Sequence, residues 1–539
     1  MGRLTSLGKG SSLRLLGLVV VVALAHGRSL SNGFVGDDLP GIVDHPVVNG
    51  SASIRDLLAY NHLGRPIVSS HPVLRPLPTL VFAAIYRAGG GQPWHFHLLS
   101  LVLYLLVVVL AYRLFARFFS AGIAWCGAAL FAALAIHVDV VAPAFHLSEL
   151  SALVFVLLML EAAIARRPVW AMLAYGAALL SKESAILAPL IVAAWGITDR
   201  ALWRWRSLLP LIAVGLVFII WRVAVLPFDV NGTTVAADNP LTLADGGTRL
   251  WMVFSLLGRY LALTVAPIDL AYDYTYSAIF PQFQLRDLFG WLGLAFSAVL
   301  LLSIAWAWRR SLSGRPGVSA VGRSTPAARL FQLASAGVLS FGFSYGLASN
   351  ALFLITVIFA ERLFFAPSLW VIFLGLLLVD ATIAYRRALA RWWIVLAVGL
   401  TLTNIGLASM RTTEWQTPHA LFSAQVAAQP DSVKGRLYLA RSFSARGKHL
   451  EAGWQLGLAL VGRRSWPARW KAPRVDALPL AQRLARLPAL IAPKDPDQAI
   501  RGLVEQARRL LGPSTALALA HYYDARRRAR GEPRRPGSP

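Results

Sequence analysis

Cysteine is nearly missing from this chain. The one copy, Cys126, excludes an intramolecular disulfide and any thiolate metal cluster. It falls in an apolar run and reads as a packing residue. Charge is scarce too, at 14% of 539 residues. What charge exists leans one way, with 52 Lys and Arg against 26 Asp and Glu, and only six of the basic residues are lysine. An excess of +26 can signal nucleic acid. Here, however, most arginines punctuate apolar runs. Arg166-Arg167, Arg204-Trp205-Arg206, Arg309-Arg310 and Arg386-Arg387 stand where the positive-inside bias places cytoplasmic turns. The rest of the excess lies near the C-terminus, and no nucleic-acid partner is expected.

The chain is rich in apolar sequence. Hydrophobic residues make up 57% of it, and mean hydropathy is +0.58. Runs long enough to cross a bilayer recur up to about Ser409. The fold class is therefore an all-α polytopic membrane protein. Leu13–Ala25, behind Arg3, Lys9 and Arg14, fits either a secretory signal peptide or a first span. We read it as a retained span, which makes residues 28–74 an extracytoplasmic loop. Within that loop, the apolar spacing of Ile54–Leu63 predicts a helix on the membrane surface. Arg75–Ala88 reads as a Pro-led interfacial helix.

Spans then follow at 95–118, 121–136, 150–165, 169–180, 185–197, 208–226, 288–308, 330–349, 368–385 and 392–407, about eleven with the first. Residues 250–267 are flanked on both sides by acidic, external-type loops, and read as re-entrant or tilted. The membrane domain is thus 1–409. A soluble helical region covers 410–530, and the Pro- and Arg-rich tail 531–539 is expected to be disordered. Residues 433–460 have the spacing of one tetratricopeptide-like helical hairpin. No second copy appears in the next 34-residue register, which leaves two later helices near 498–511 and 514–528 as further repeat or unrelated cap.

Candidate chemistry lies on the outer side. Asp37 and Asp38 adjoin at the mouth of a membrane segment, where acids are costly unless they face water, a cation or a reaction. His137, Asp139, His146 and Glu149 lack the spacing of a compact metal motif, and read better as the lining of an aqueous cavity. In Ser181-Lys182-Glu183 the lysine suits a phosphate clamp, or else a local ion pair with Glu183. Asp238-Asn239-Pro240 and Tyr272-Asp273-Tyr274-Thr275-Tyr276 suit a sugar or acceptor chain, or an interfacial aromatic belt. Glu361-Arg362 puts an acid and a guanidinium inside an apolar run, and the guanidinium suits bidentate phosphate binding.

The order of these motifs resembles the transmembrane O-mannosyltransferases with tetratricopeptide repeats, the TMTC family of the GT-C class. The resemblance rests on Phe34-Val35-Gly36-Asp37-Asp38, Leu74-Arg75-Pro76-Leu77, His137-Val138-Asp139 with Glu149, and Leu180-Ser181-Lys182-Glu183. It continues through Asp238-Asn239-Pro240, Leu270-Ala271-Tyr272-Asp273-Tyr274, Ser349-Asn350, Ala360-Glu361-Arg362 and Pro367-Ser368. Asp139 stands where the family has Glu, Glu149 where it has Asp, and the repeat array is short.

The resemblance implies a GT-C-like bundle. It also implies a polyprenyl- or dolichyl-phosphate sugar donor, with mannose the typical sugar, and metal-independent, inverting transfer to a hydroxyl on the extracytoplasmic side. Asp38 would then be the general base, with Asp37 the alternative. Arg362, Lys182 and Arg75 would hold the donor phosphate. His137, Asp139, Glu149, Glu361, Tyr272 and Asp273 would line the substrate cavity. The acceptor would be protein, or alternatively an envelope lipid or glycan. A non-catalytic membrane scaffold is the rival outside enzymology, and no internal hydropathy symmetry supports a transporter. The Arg- and Ala-rich composition suggests a GC-rich bacterium, hence a periplasmic face. In a eukaryote that face would be the ER lumen, and Asn49-Gly50-Ser51 and Asn231-Gly232-Thr233 would be glycosylation sites.

Overall fold

The computed structural model describes residues 9–67, 73–226, 238–274, 279–312, 326–465 and 496–529, together with 480, 481, 484 and 487. The sequon at Asn231, Thr275, Tyr276, Arg3 and the tail 531–539 lie outside the described residues. Among the described residues the fold is helical, with no β-strand and a single isolated bridge between Tyr60 and Pro66.

Among the described residues, seven helices are long and apolar enough to cross a membrane, and an eighth span forms if one bent pair is counted. The seven are α1 (Lys9–His26), α3 (Pro93–Ala116), α5 (Leu147–Ile164), α8 (Trp205–Val225), α11 (Pro326–Tyr345), α12 (Phe365–Tyr385) and α13 (Ala390–Glu414). Two segments counted as spans from sequence are shorter apolar helices, α6 (Pro168–Ser181) and α7 (Ala188–Trp195), whereas α10 (Leu288–Leu312) is a helix of 25 residues that opens on an apolar stretch. α2 (Pro76–Gly89) starts on a proline pair, as the sequence suggests. α9 (Gly246–Val265) is not among the spans. It lies antiparallel on α10, so close that a Cβ at Gly258 would meet the Phe289 carbonyl, and one at Gly293 the Phe254 carbonyl.

The bent span explains several buried polar residues. α4 (Ala121–Ala133) stops at Leu134, and the chain turns by 50° into residues 135–141. Breaking a helix at membrane depth frees backbone groups that lipid cannot satisfy. Side chains from neighbouring helices take them. The Tyr104 hydroxyl donates to the carbonyls of Phe131 at 3.0 Å and Ala132 at 3.1 Å, and His26 Nε2 reaches the Ala132 carbonyl at 3.2 Å. Asn404 Oδ1 accepts from the Ala135 N–H at 3.1 Å.

Two expectations change outside the bundle. Ile54–Leu63 is not a surface helix: only Ile54–Leu58 forms a 3₁₀ turn, closed by a Ser53–Asp56 capping box. The Asn61 side chain then accepts from the N–H groups of Leu63 and Arg65 and folds the chain back. At the other end, α13 runs unbroken through the composition change at Arg411.

The C-terminal helices are α14 (Pro418–Ala428), α15 (Val433–Ala445), α16 (His449–Ser465), α17 (Pro496–Leu511) and α18 (Pro513–Ala529). α15/α16 form one hairpin and α17/α18 a second, packed against α16 around Trp454, Leu458, Leu503, Leu519 and Tyr523. The second pair is displaced far beyond a 34-residue register, which is why a periodicity reading does not find it.

Candidate active site

Asp37 and Asp38 sit at the tip of a turn made by Gly36, whose φ of +56° favours glycine. A side chain there would also collide, since a Cβ would stand 2.9 Å from the Tyr272 hydroxyl. The two acids then part company. Asp38 is fully buried, and its Oδ2 accepts from the Val35 N–H at 3.0 Å while Oδ1 accepts from the Phe145 N–H at 2.7 Å. Burial nevertheless pushes its carboxyl up to about 7, against the pull of these backbone donors. Asp38 is a staple between two loops. The Asp37 carboxylate is half-buried, has no hydrogen-bond or ion-pair partner among the described residues, and lies within the electrostatic field of Arg362 and Tyr272.

The bent span delivers the next group. Asp139 is buried, and its Oδ2 accepts from the Arg362 backbone N–H at 3.1 Å and from Nη1 at 3.5 Å. Arg362 Nε and Nη2 have no protein partner among the described residues, and the side chain is 22% exposed. His146 Nδ1 donates to the Asp139 carbonyl. Burial and then Arg362 hold this imidazole well below its usual pKa, so it is neutral.

Lys182 does not pair with its neighbour Glu183. It reaches Glu149 on α5, while Glu183 takes Arg75 in a bidentate pair, Nη2–Oε1 at 3.1 Å and Nε–Oε2 at 3.3 Å. Arg75 Nη1 also donates to Ser148 Oγ at 3.1 Å. The charged side chains gather at two poles. Asp37, Arg362 and Tyr272 form one; Arg75, Lys182, Glu149 and Glu183 form the other. His146 stands between them, within the fields of Arg362, Arg75 and Lys182.

Three of the anticipated cavity residues lie behind this lining. His137 is sealed in the bundle between the Tyr104 hydroxyl at 2.8 Å and Ser368 Oγ at 2.9 Å, where it supports the helix break. Glu361 turns away from Arg362. It accepts from the Ala271 N–H at 2.8 Å, the Tyr274 hydroxyl at 2.7 Å and Arg411 Nη2 at 3.3 Å, fixing the 270–274 loop to α13. Asp273 is gripped through its backbone by Gln425, with bonds of 3.0 and 2.6 Å, and its carboxylate lies 4.0 Å from Lys434. Tyr272 does stay beside the Asp37 turn, its hydroxyl against Gly36 and its ring edge-on to Trp415 at 5.5 Å and Phe422 at 5.8 Å.

Arg411, Gln425 and Lys434 escaped the sequence reading. The one signal for Arg411 is a lone guanidinium in the last turn of a long apolar helix, one turn before Glu414. Among the described residues, no three His, Cys, Asp or Glu side chains are gathered as a metal site.

This arrangement can take a proton at Asp37 beside a guanidinium with uncommitted donors. The chain is similar to protein O-mannosyl-transferases. It is 24% identical over 447 residues to the Caenorhabditis elegans protein O-mannosyl-transferase F38B6.6, covering 79% of this chain and 60% of that protein. It is 26% identical over 538 residues to Drosophila melanogaster protein O-mannosyl-transferase Tmtc1, covering 83% and 62%. To human protein O-mannosyl-transferase TMTC1 it is 34% identical over 149 residues, 26% of this chain and 17% of that one. The chain thus spans about 60% of the C. elegans transferase it matches. No protein-family model matches, and no solved structure gives a significant match. The TMTC resemblance read from the motifs is therefore also a resemblance in overall sequence.

Proposed function

We propose that this integral membrane protein is a glycosyltransferase that moves mannose from a polyprenyl phosphate to a Ser or Thr hydroxyl of protein on the extracytoplasmic face, the periplasm in a bacterium. The observation that carries the reading is the unpartnered Asp37 carboxylate facing Arg362, with the relatives' shared name indicating the sugar and the acceptor class. Asp37, rather than the stapled Asp38, is the general base. It takes the proton as the acceptor oxygen attacks the anomeric carbon. The bond from that carbon to the phosphate oxygen breaks, the electron pair leaves with the lipid phosphate, and the configuration inverts. Arg362 stabilises the departing phosphate through its open donors, with Lys182 and Arg75 adding positive potential. A phosphate leaves without protonation, so a single base suffices. No residue here is assigned a metal-binding role.

The test is transfer of labelled mannose from polyprenyl-phosphate mannose by the protein reconstituted in vesicles. Protein, lipid and glycan fractions are counted separately. Label in protein, lost in Asp37→Asn, is the expected result. Label confined to lipid or glycan would overturn the protein acceptor, and no transfer from any lipid-phosphate sugar would return the chain to a scaffold.

A further inference from the structure

His62 belongs to none of the motifs above, yet it lies beside the Arg75–Glu183 pair. It is 3% exposed, and neither ring nitrogen has a hydrogen-bond partner among the described residues. Leaving a buried polar group unpaired is costly, and native structures rarely do so without a ligand or water to meet it. The neighbouring His45 shows the contrast: its Nδ1 accepts from the Val47 N–H and its Nε2 meets the Asn61 carbonyl, both at 3.2 Å.

The position of His62 is set from three sides. Its backbone N–H donates to the Val73 carbonyl at 2.7 Å. Its ring stacks on Phe145 with centroids 4.3 Å apart, and the Phe145 N–H is the one held by Asp38. Arg75, Glu183, His45 and His146 are the charged or titratable groups around it. Burial, then Arg75, keeps the ring well below its usual pKa, so it offers one N–H and one lone pair. A phosphate accepts hydrogen bonds and would be poorly met by the lone pair. A sugar hydroxyl, which both donates and accepts, fits the ring.

We propose that His62 binds a hydroxyl of the hexose being transferred and so contributes to sugar selectivity. This rests on the reading of the chain as a lipid-phosphate-sugar transferase. His62 stands at the Arg75–Lys182 pole, apart from the proposed base. The hydroxyl it meets is therefore on the donor sugar and not on the acceptor.

The test uses the full chain in vesicles as wild type, His62→Ala and His62→Gln. Each is supplied with polyprenyl-phosphate mannose and with each monodeoxymannose analogue in turn. Wild type should use one deoxy donor ~10- to 100-fold less well in kcat/KM than the natural donor. His62→Ala should lower the natural donor to the level of that analogue and leave the analogue itself unchanged. His62→Gln, which keeps a donor and an acceptor, should recover part of the preference. An equal loss on every donor would assign His62 a packing role and overturn the proposal, as would an unaltered deoxy profile in His62→Ala. Wild-type transfer with these results refutes His62 alone, whereas no wild-type transfer of mannose refutes the underlying function.

Discussion

Exchanging each carboxylate of the Asp37–Asp38 pair for an amide separates catalysis from architecture. Asp37→Asn removes a charge and no hydrogen bond among the described residues, so thermal stability should stay within about 0.5 kcal/mol of wild type. Its kcat for transfer should fall by roughly 10²–10⁴, the usual contribution of a positioned base. Asp38→Asn meets two backbone donors, at 3.0 and 2.7 Å, with one oxygen and one NH₂. One N–H must then face another donor in a buried site, at a cost of about 1–3 kcal/mol, less whatever is recovered by no longer burying a carboxylate. This variant should melt earlier and retain a measurable fraction of kcat at a temperature where it is folded. Purified proteins in one detergent, followed by intrinsic fluorescence on heating and by mannose transfer, supply both numbers. If Asp37→Asn transfers at the wild-type rate, or Asp38→Asn is fully stable but inert, Asp38 is the base and the assignment made from its hydrogen bonds is refuted.

Other outcomes follow from the same geometry. Because burial raises the Asp38 carboxyl from 3.8 to about 7, the folded protein holds a proton in that window that the unfolded chain has lost. Its contribution to stability therefore falls as pH rises from about 4 to 7, by up to about 1.4 kcal/mol per unit. Raising pH across that range should lower the melting point of wild type relative to Asp38→Asn, and parallel curves would contradict the shift. Gly36→Ala meets a positive φ and the Tyr272 hydroxyl together, and should cost about 1–2 kcal/mol and slow transfer. Adding Tyr272→Phe relieves the collision only, so a complete rescue of stability would show that the φ constraint is absent. Glu361→Ala leaves Arg411 paired with Glu414 alone and removes the acceptor of the Ala271 N–H and the Tyr274 hydroxyl, and should destabilise by about 1–3 kcal/mol and loosen the loop bearing Tyr272. Unchanged melting would count against the anchor. Lys434→Ala, in a half-exposed pair with Asp238, should change stability by about 1 kcal/mol or less, with the difference shrinking in high salt.

Much of the fold was readable because a bilayer imposes a local rule: each crossing segment must be apolar and helical over its own length. Composition and run length therefore reveal α1, α3, α5, α8 and α11–α13, but overcount at α6 and α7, where apolar sequence is too short to cross alone. The C-terminal pair α17/α18 was visible only as two helices, since its docking on α16 depends on contacts outside any regular period.

The amino-acid sequence alone determined that this is a helical membrane protein with loops of acids and cations between its apolar runs, and it placed Asp37, Asp38, Arg75, Asp139, Lys182 and Arg362 as the candidates for chemistry. It could not assign their partners. Asp37 and Asp38 are neighbours of the same type, and a left-handed glycine before them sends one onto backbone N–H groups and the other toward Arg362. Lys182 and Glu183 are adjacent and complementary, yet each is paired with a residue from another segment. Glu361 and Arg362 divide in the same way between Arg411 and Asp139. Adjacent side chains in a turn point in different directions, and the charge each one meets is brought by helices dozens to hundreds of residues away. Only the tertiary structure could decide which charges are paired with which.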